Sequence, residues 1–189
     1  MAVGPEIFVV EELLDQALCQ HLIQVAECCQ FDVASVGIEQ VDQTVRSNDL
    51  LYLDQPSSLA QSANDLLLGR VAVVQELLYG YYKIAFPHAE VCSILRYQKG
   101  QYYKRHIDNM LLSSRMEEAR QGVPMRDISV VGYLNDDFEG GETYFDRQGL
   151  KLKPVAGSVV VFPAYFIYPH QSLPVTQGRK YVFTTWLMH

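Results

Sequence analysis

The sequence has little positive charge. Its 189 residues include 15 Lys and Arg against 22 Asp and Glu, which gives a net charge of −7 at pH 7. A general nucleic-acid binder needs a basic surface that displaces counterions from the phosphates. We therefore expect no nucleic-acid partner for this chain.

Long apolar runs and export signals are also absent. No window approaches the ~20 apolar residues that a membrane helix needs, and residues 1–12 lack the basic and long apolar regions of a signal peptide. The four cysteines, Cys19, Cys28, Cys29 and Cys92, include no metal-type Cys-x-x-Cys pair, and we expect them to be reduced. These observations predict a cytoplasmic protein with no membrane partner.

Nothing in the sequence divides the chain, because it contains no repeat, low-complexity segment or Pro/Gly/Ser-rich linker. A length of 189 residues fits one domain, although the pattern changes near residue 85. Before that point, apolar residues at helical spacing predict two helices. The first contains Leu13, Leu14, Ala17, Leu18, Leu22, Ile23 and Ala26, and the second runs from about Ser58 to Tyr82.

After residue 85 the pattern changes to short β-like runs separated by turn residues. The clearest runs are 91–97, 128–134, 141–145, 157–162 and 180–187. Several short strands at close spacing predict a β-sandwich or barrel on which the N-terminal helices pack. The predicted fold is α+β, mainly β, in a single domain over 1–189, with 1–85 as mainly helical support and 86–189 as the β core.

One group of residues indicates metal chemistry. A single residue separates His106 from Asp108, and in an extended segment this spacing puts both side chains on one face. An imidazole and a carboxylate are two of the three ligands in the 2-His-1-carboxylate site of non-haem Fe(II) oxygenases, and His170 is the candidate third. Such a site leaves positions open for a co-substrate and O₂. The alternative is a polar pair at a strand edge.

Lys180 begins the last predicted strand, after His170. A lysine buried in a β-barrel is unfavourable unless it meets an anion, and a dicarboxylate co-substrate would supply one. In the alternative, Lys180 points outward and Arg179 points inward. The spacing alone does not distinguish these two interpretations.

Three blocks of sequence carry a family resemblance. The first is Tyr97-x-x-Gly100-x-x-Tyr103-x-x-His106-x-Asp108, and the middle block contains Arg126, Tyr133-Leu-Asn and Gly140-Gly-Glu-Thr143. The last block comprises Pro154-x-x-Gly157-x-x-Val160-x-Phe162 and His170-x-x-x-Pro174-Val-x-x-Gly178-x-Lys180-x-x-x-Thr184-x-Trp186. In order and spacing these blocks resemble the 2-oxoglutarate- and Fe(II)-dependent dioxygenases of the prolyl 4-hydroxylase type.

This resemblance implies a double-stranded β-helix (jelly roll) with packed N-terminal helices. It implies Fe(II), 2-oxoglutarate and O₂ as cofactors, with ascorbate as a candidate reductant, and hydroxylation of a C–H bond with release of succinate and CO₂. The residues implied to take part are His106, Asp108 and His170 for Fe(II), Lys180, Tyr133, Thr184 and Tyr97 for 2-oxoglutarate, and Arg126, Tyr103 and Trp186 for the substrate. For Tyr97, Tyr103 and Trp186, a plain aromatic core is the alternative.

The substrate that we favour is a prolyl residue in a protein or peptide. A hydroxylase of a free amino acid or another metabolite on the same fold is the first alternative, and a non-catalytic jelly-roll binding or sensor module is the second. Residues 109–125 predict a loop that folds over a peptide, and its candidate residues are Leu111, Leu112, Arg115, Met116 and Arg120. A plain surface loop fits that composition equally well.

Overall fold

The computed structural model of the protein describes residues 2–4, 6–33, 44–109, 120–122 and 125–189. It contains the two predicted helices, α1 (Gln16–Cys28) and α2 (Ser58–Tyr82). The carboxylate of Asp15 accepts a hydrogen bond from the Leu18 backbone N–H at 2.8 Å and so caps α1. Within the described chain, neither helix has the length and apolar character needed to cross a bilayer.

Strands account for most of the remaining regular structure. In chain order they are β1 (Ala2–Gly4), β2 (Ile7–Val10), β3 (Asp32–Val33), β4 (Asp49–Tyr52), β5 (His88–Ala89), β6 (Ser93–Tyr97), β7 (Tyr103–His106), β8 (Ile128–Tyr133), β9 (Glu139–Gly140), β10 (Thr143–Phe145), β11 (Leu150–Leu152), β12 (Val159–Pro163), β13 (His170–Ser172), β14 (Val175–Gln177) and β15 (Lys180–Met188). The five runs predicted after residue 85 correspond to β6, β8, β10, β12 and β15. These strand predictions are confirmed.

The strands form a major sheet and a minor sheet. The major sheet has the order β1-β2-β12-β8-β15-β6-β4-β3, and β5 also pairs with β15. The minor sheet has the order β11-β10-β13-β7, and β14 pairs with β9 as a separate ribbon. The described pairings are antiparallel, as in the predicted jelly roll.

The two faces of the major sheet pack against different partners. Phe183 and Leu187 of β15 belong to the buried cluster that contains the apolar faces of both helices. Their neighbour Val182 belongs to a second cluster, which contains Tyr133 of the major sheet and Phe145 of the minor sheet. Because side chains alternate along a strand, β15 presents one face to the helices and the other to the space between the sheets.

The N-terminal part of the chain also contributes strands, which the sequence patterns did not predict. Strand β2 pairs with β12, and β4 pairs with β6. Gly157 joins this part to the core, since its N–H donates to the Tyr133 carbonyl at 2.8 Å and its own carbonyl accepts from the Leu14 N–H at 3.1 Å. Gly157 has a φ of +84°, and a Cβ added to it would lie 2.2 Å from the carbonyl oxygen of Leu14. This position therefore requires glycine.

Candidate active site

The pairing of β7 with β13 brings two histidines together. His106, the last residue of β7, lies directly opposite His170, the first residue of β13. Side chains at directly opposed positions of antiparallel strands are neighbours, and the centroids of these two imidazole rings lie 4.3 Å apart. Strand register therefore creates the pair from residues that are distant in the sequence.

Asp108 completes the group from just beyond the end of β7. The bend that contains Asp108 is held by the Asn109 N–H, which donates to the Ala164 carbonyl at 3.1 Å. The Asp108 carboxylate lies 3.4 Å from His106 Nε2 and 3.7 Å from His170 Nε2. The three side chains can each offer one ligand atom within 4.8 Å of the others.

Hydrogen bonds orient both imidazoles toward Asp108. His106 Nδ1 lies 2.7 Å from the Lys104 carbonyl, and His170 Nδ1 lies 3.2 Å from the Tyr168 carbonyl. A carbonyl can only accept, so each Nδ1 carries a proton, and each Nε2 is the ring nitrogen directed at Asp108. This is the arrangement of a histidine that binds a metal through Nε2.

The charge states also suit a metal. Burial lowers the pKa of His170 to about 4 and so keeps its imidazole neutral. Burial alone would raise the pKa of Asp108, but His170 and His106 outweigh it and hold that pKa well below its usual range. Two imidazoles and one carboxylate are the donor set that non-haem Fe(II) prefers, so these residues fit the predicted iron.

Aromatic rings form the walls around the histidines. The Tyr103 ring stacks on His106 with centroids 3.5 Å apart and planes 12° apart. Phe145 and Phe162 lie 5.5 Å and 4.8 Å from the His170 ring. This packing limits rotation of both imidazoles.

Lys180 points into the space between the sheets, where it is 1% exposed. Its ammonium donates to the Gly141 carbonyl at 2.7 Å and to Ser172 Oγ at 3.0 Å. Both of these acceptors are neutral oxygen atoms. The side chain of the neighbouring Arg179, by contrast, is 59% exposed. The outward orientation considered for Lys180 is therefore wrong, and burial lowers its pKa to about 7.

Two buried tyrosines flank this ammonium, at 4.9 Å from the Tyr97 ring centroid and 5.2 Å from that of Tyr133. The Tyr133 hydroxyl lies 2.5 Å from Thr143 Oγ1, and burial raises the pKa of Tyr133 to about 12. Burial raises the pKa of Tyr97 as well. Thr184 is on the same face of β15 as Lys180 but further along the strand, opposite Ser93 and Val131.

Arg126 links the iron-ligand loop to an aromatic wall. It forms a bidentate ion pair with Glu90, with both N–O distances 2.7 Å. Its Nη1 donates to the Asp108 carbonyl at 3.1 Å, and its guanidinium carbon lies 3.5 Å from the centroid of the Trp186 ring. Arg126 thus touches the backbone of a predicted iron ligand and one predicted substrate residue.

Sequence reasoning missed three polar partners in this region, which are Glu90, Thr143 and Ser172. Each lies outside the metal pattern. The packing of the two sheets places Thr143 and Ser172 beside their partners, and the pairing of β5 with β15 places Glu90. In the predicted peptide-covering loop, Leu111, Leu112, Arg115 and Met116 lie outside the described residues.

Comparison with known proteins agrees with this geometry. The sequence model of the 2OG-Fe(II) oxygenase superfamily matches residues 92–188. Prolyl 4-hydroxylase 1 of Arabidopsis thaliana is 24% identical over 211 residues, which cover 97% of this chain and 69% of the plant protein.

Solved structures of the same fold are also similar. A viral collagen prolyl hydroxylase from Paramecium Bursaria Chlorella virus-1, solved as a 2OG complex, superposes with a TM-score of 0.72 at 21% identity, over 97% of this chain and 96% of that one. A prolyl hydroxylase from Trichoplax adhaerens, in complex with a hypoxia inducible factor peptide fragment, gives 0.73 at 18% identity, over 97% and 83%.

These superpositions confirm the double-stranded β-helix fold. The enzymes of the matched superfamily use Fe(II), 2-oxoglutarate and O₂, and the His-Asp-His group lies within the matched residues. By its sequence, its fold and this ligand set, the chain belongs to the 2OG-Fe(II) oxygenase superfamily.

Proposed function

We propose that this protein hydroxylates a prolyl residue of a protein or peptide. The observation that carries the proposal is the combination of the His106–Asp108–His170 group with the buried ammonium of Lys180. The Arabidopsis relative is named a prolyl 4-hydroxylase, and both of the solved structures described above are prolyl hydroxylases. These relatives support a prolyl substrate class.

His106, Asp108 and His170 would hold Fe(II) through two Nε2 atoms and one carboxylate. When bound, Fe(II) supplies the redox chemistry by which O₂ and 2-oxoglutarate convert a C–H bond to C–OH, with release of succinate and CO₂. The protein fixes the ligand set through the hydrogen bonds from each Nδ1. With these three side chains as its protein ligands, the metal would keep its remaining positions for the co-substrate and O₂.

Lys180 would bind the C5 carboxylate of 2-oxoglutarate. A buried ammonium whose hydrogen-bond acceptors are neutral oxygens gains most from an anion that enters the same space. Tyr133 and Tyr97 flank the ammonium and would line this pocket. Thr184, on the same strand face, would contribute its hydroxyl to the same co-substrate.

Arg126, Trp186 and Tyr103 would contact the substrate. The Trp186 ring is backed on one face by the Arg126 guanidinium, and a flat aromatic face packs well against a pyrrolidine ring. Tyr103 is fixed by its stack on His106. Arg126 contacts the Asp108 backbone and Tyr103 stacks on His106, so a proline held by these side chains would lie beside the metal.

Three further expectations belong to this proposal. Ascorbate would serve as the reductant that restores Fe(II) after unproductive turnover, and residues 1–189 would act as one domain.

A cytoplasmic location is supported by the cysteines, all four of which lie in the described chain as free thiols. Cell fractionation with an antibody to the chain tests the location directly.

The test of the iron and co-substrate sites is an anaerobic titration of the metal-free protein with Fe(II) and 2-oxoglutarate. The visible charge-transfer band of the chelate should form in the parent protein. It should be lost in His106→Ala and require far more 2-oxoglutarate in Lys180→Ala. His88→Ala, an exposed histidine outside the site, is the matched control and should keep the band.

The substrate class is tested next, with synthetic prolyl peptides against free proline. Peptides that gain one oxygen atom by mass, with matching release of succinate, support the proposal. Turnover of free proline or another metabolite without peptide turnover would select the small-molecule alternative. A folded protein that forms no band would rule out catalysis by this route.

A further inference from the structure

Three adjacent large apolar side chains are exposed beside the candidate active site. They belong to residues 165–167, here called the apolar turn, in which Tyr165 is 36%, Phe166 67% and Ile167 50% exposed. Single exposed apolar residues are ordinary, but a contiguous group on a protein surface marks an interaction site. The apolar turn lies between β12 and β13 and ends three residues before His170.

Hydrogen bonds from other parts of the chain hold this turn in place. Arg147 Nη1 donates to the Phe166 carbonyl at 3.1 Å, and Gln148 Nε2 donates to the Ile167 carbonyl at 2.9 Å. The Tyr165 hydroxyl donates to Asp127 Oδ1 at 2.5 Å. The apolar side chains are therefore exposed on a fixed backbone, which lowers the entropy lost when a partner binds.

The same turn is tied to the iron-ligand segments at both ends. On one side, the Ala164 carbonyl accepts from the N–H of Asn109, which follows Asp108. On the other, the Tyr168 carbonyl accepts from Nδ1 of His170. The apolar turn thus borders the proposed iron site, and a polypeptide bound at that site would extend over it.

We infer that the apolar turn binds an apolar side chain of the polypeptide substrate, at a fixed distance from the target proline. This inference rests on the proposed function. Because an extended chain covers ~3.3 Å per residue, the separation of residues 166 and 167 from His170 spans at most about 10–14 Å. The recognised side chain therefore lies within about three or four residues of the proline, and a free amino acid does not reach it.

The test uses short blocked peptides with one central proline in a serine and glycine background. A leucine is moved through the flanking positions, and binding is measured by fluorescence anisotropy without O₂, with Mn(II) in place of Fe(II) and 2-oxoglutarate present. Leucine within about three or four residues of the proline, on one side only, should tighten binding about tenfold, as expected for burial of one aliphatic side chain.

The Phe166→Ser/Ile167→Ser double variant should lose this gain from leucine. The charge-transfer band with Fe(II) and 2-oxoglutarate, recorded on the same samples, checks that the variant is folded. Val155→Ser, which alters a residue that is 59% exposed in the loop before β12, is the control and should keep the gain.

Each outcome has one interpretation. A leucine gain that the double variant retains, or no leucine gain at any position, overturns the inference while leaving prolyl hydroxylation intact. If the band forms but no prolyl peptide is bound or hydroxylated, the proposed function fails and the inference fails with it. Loss of the gain in the double variant alone supports the docking role.

Discussion

Replacing Lys180 by Met should change how the stability of the ligand-free protein depends on pH. Burial lowers the pKa of Lys180 from 10.5 to about 7. Below about pH 7 the ammonium is charged in both states, and the folded protein bears the full cost of its burial. Between about pH 7 and 10.5 only the unfolded chain binds the proton, so the free energy of unfolding of the parent rises with pH.

The size of this effect follows from the pH range over which only the unfolded chain binds the proton. Each pH unit contributes about 1.4 kcal/mol while only the unfolded state is protonated. Between pH 7 and 9.5 the parent should gain about 3 kcal/mol relative to Lys180→Met. The variant also loses the hydrogen bonds to Gly141 and Ser172, but any change in their strength as the ammonium loses its proton is already contained in the lowered pKa.

Urea unfolding at several pH values, without metal or 2-oxoglutarate, measures the difference. Lys153→Met is the matched control. The Lys153 ammonium also contacts a backbone carbonyl and an aromatic ring, both of which belong to Phe138, but Lys153 is exposed. We expect its difference from the parent to stay flat. Parallel curves for the parent and Lys180→Met would refute the view that Lys180 is a buried charge whose desolvation outweighs its attraction to Glu142.

Two other substitutions test the framework around the site. Glu90→Gln removes the charge that orients Arg126, and Arg126 in turn donates a hydrogen bond to the Asp108 carbonyl. The affinity for Fe(II) in the anaerobic titration should therefore fall at least about tenfold. Glu90→Asp keeps the charge and should recover part of the affinity, and equal Fe(II) affinity in all three proteins would contradict a positioning role. Gly157→Ala should destabilise the fold by about 2–4 kcal/mol in urea unfolding, because its Cβ meets the Leu14 carbonyl at a φ of +84°. A change below about 0.5 kcal/mol would show that the segment relaxes freely.

The helices were predictable because each carries its own periodic signal. In α2, Ala63, Leu67, Val71, Val74 and Leu78 face the core at helical spacing, and this pattern is visible in the sequence without any knowledge of the partner. Strand β2, by contrast, is a short run of four residues, Ile7–Val10. A run of this length does not separate strand from helix by periodicity, and its pairing with β12 decides the outcome.

The metal ligands were predictable by residue type and order, but their geometry was not. His106 and Asp108 do not meet through alternation along one strand, since β7 ends at His106 and Asp108 lies in the bend after it. The direction of Lys180 was likewise undecided, because the patterns fitted either Lys180 or Arg179 inside. The pairing of β15 with β6 and β8 puts Lys180 between the sheets.

The least predictable feature of the site is the contact between Glu90 and Arg126, which are 36 residues apart in the sequence. Glu90 follows β5, whose pairing with the end of β15 sets its N–H 2.9 Å from the Trp186 carbonyl. Arg126 stands two residues before β8, which also pairs with β15. Both charges are thus brought to Trp186 by the same strand, and neither local sequence contains that information. A partner of this kind can be found only after the register of the central strands is known, because register decides which side chains meet.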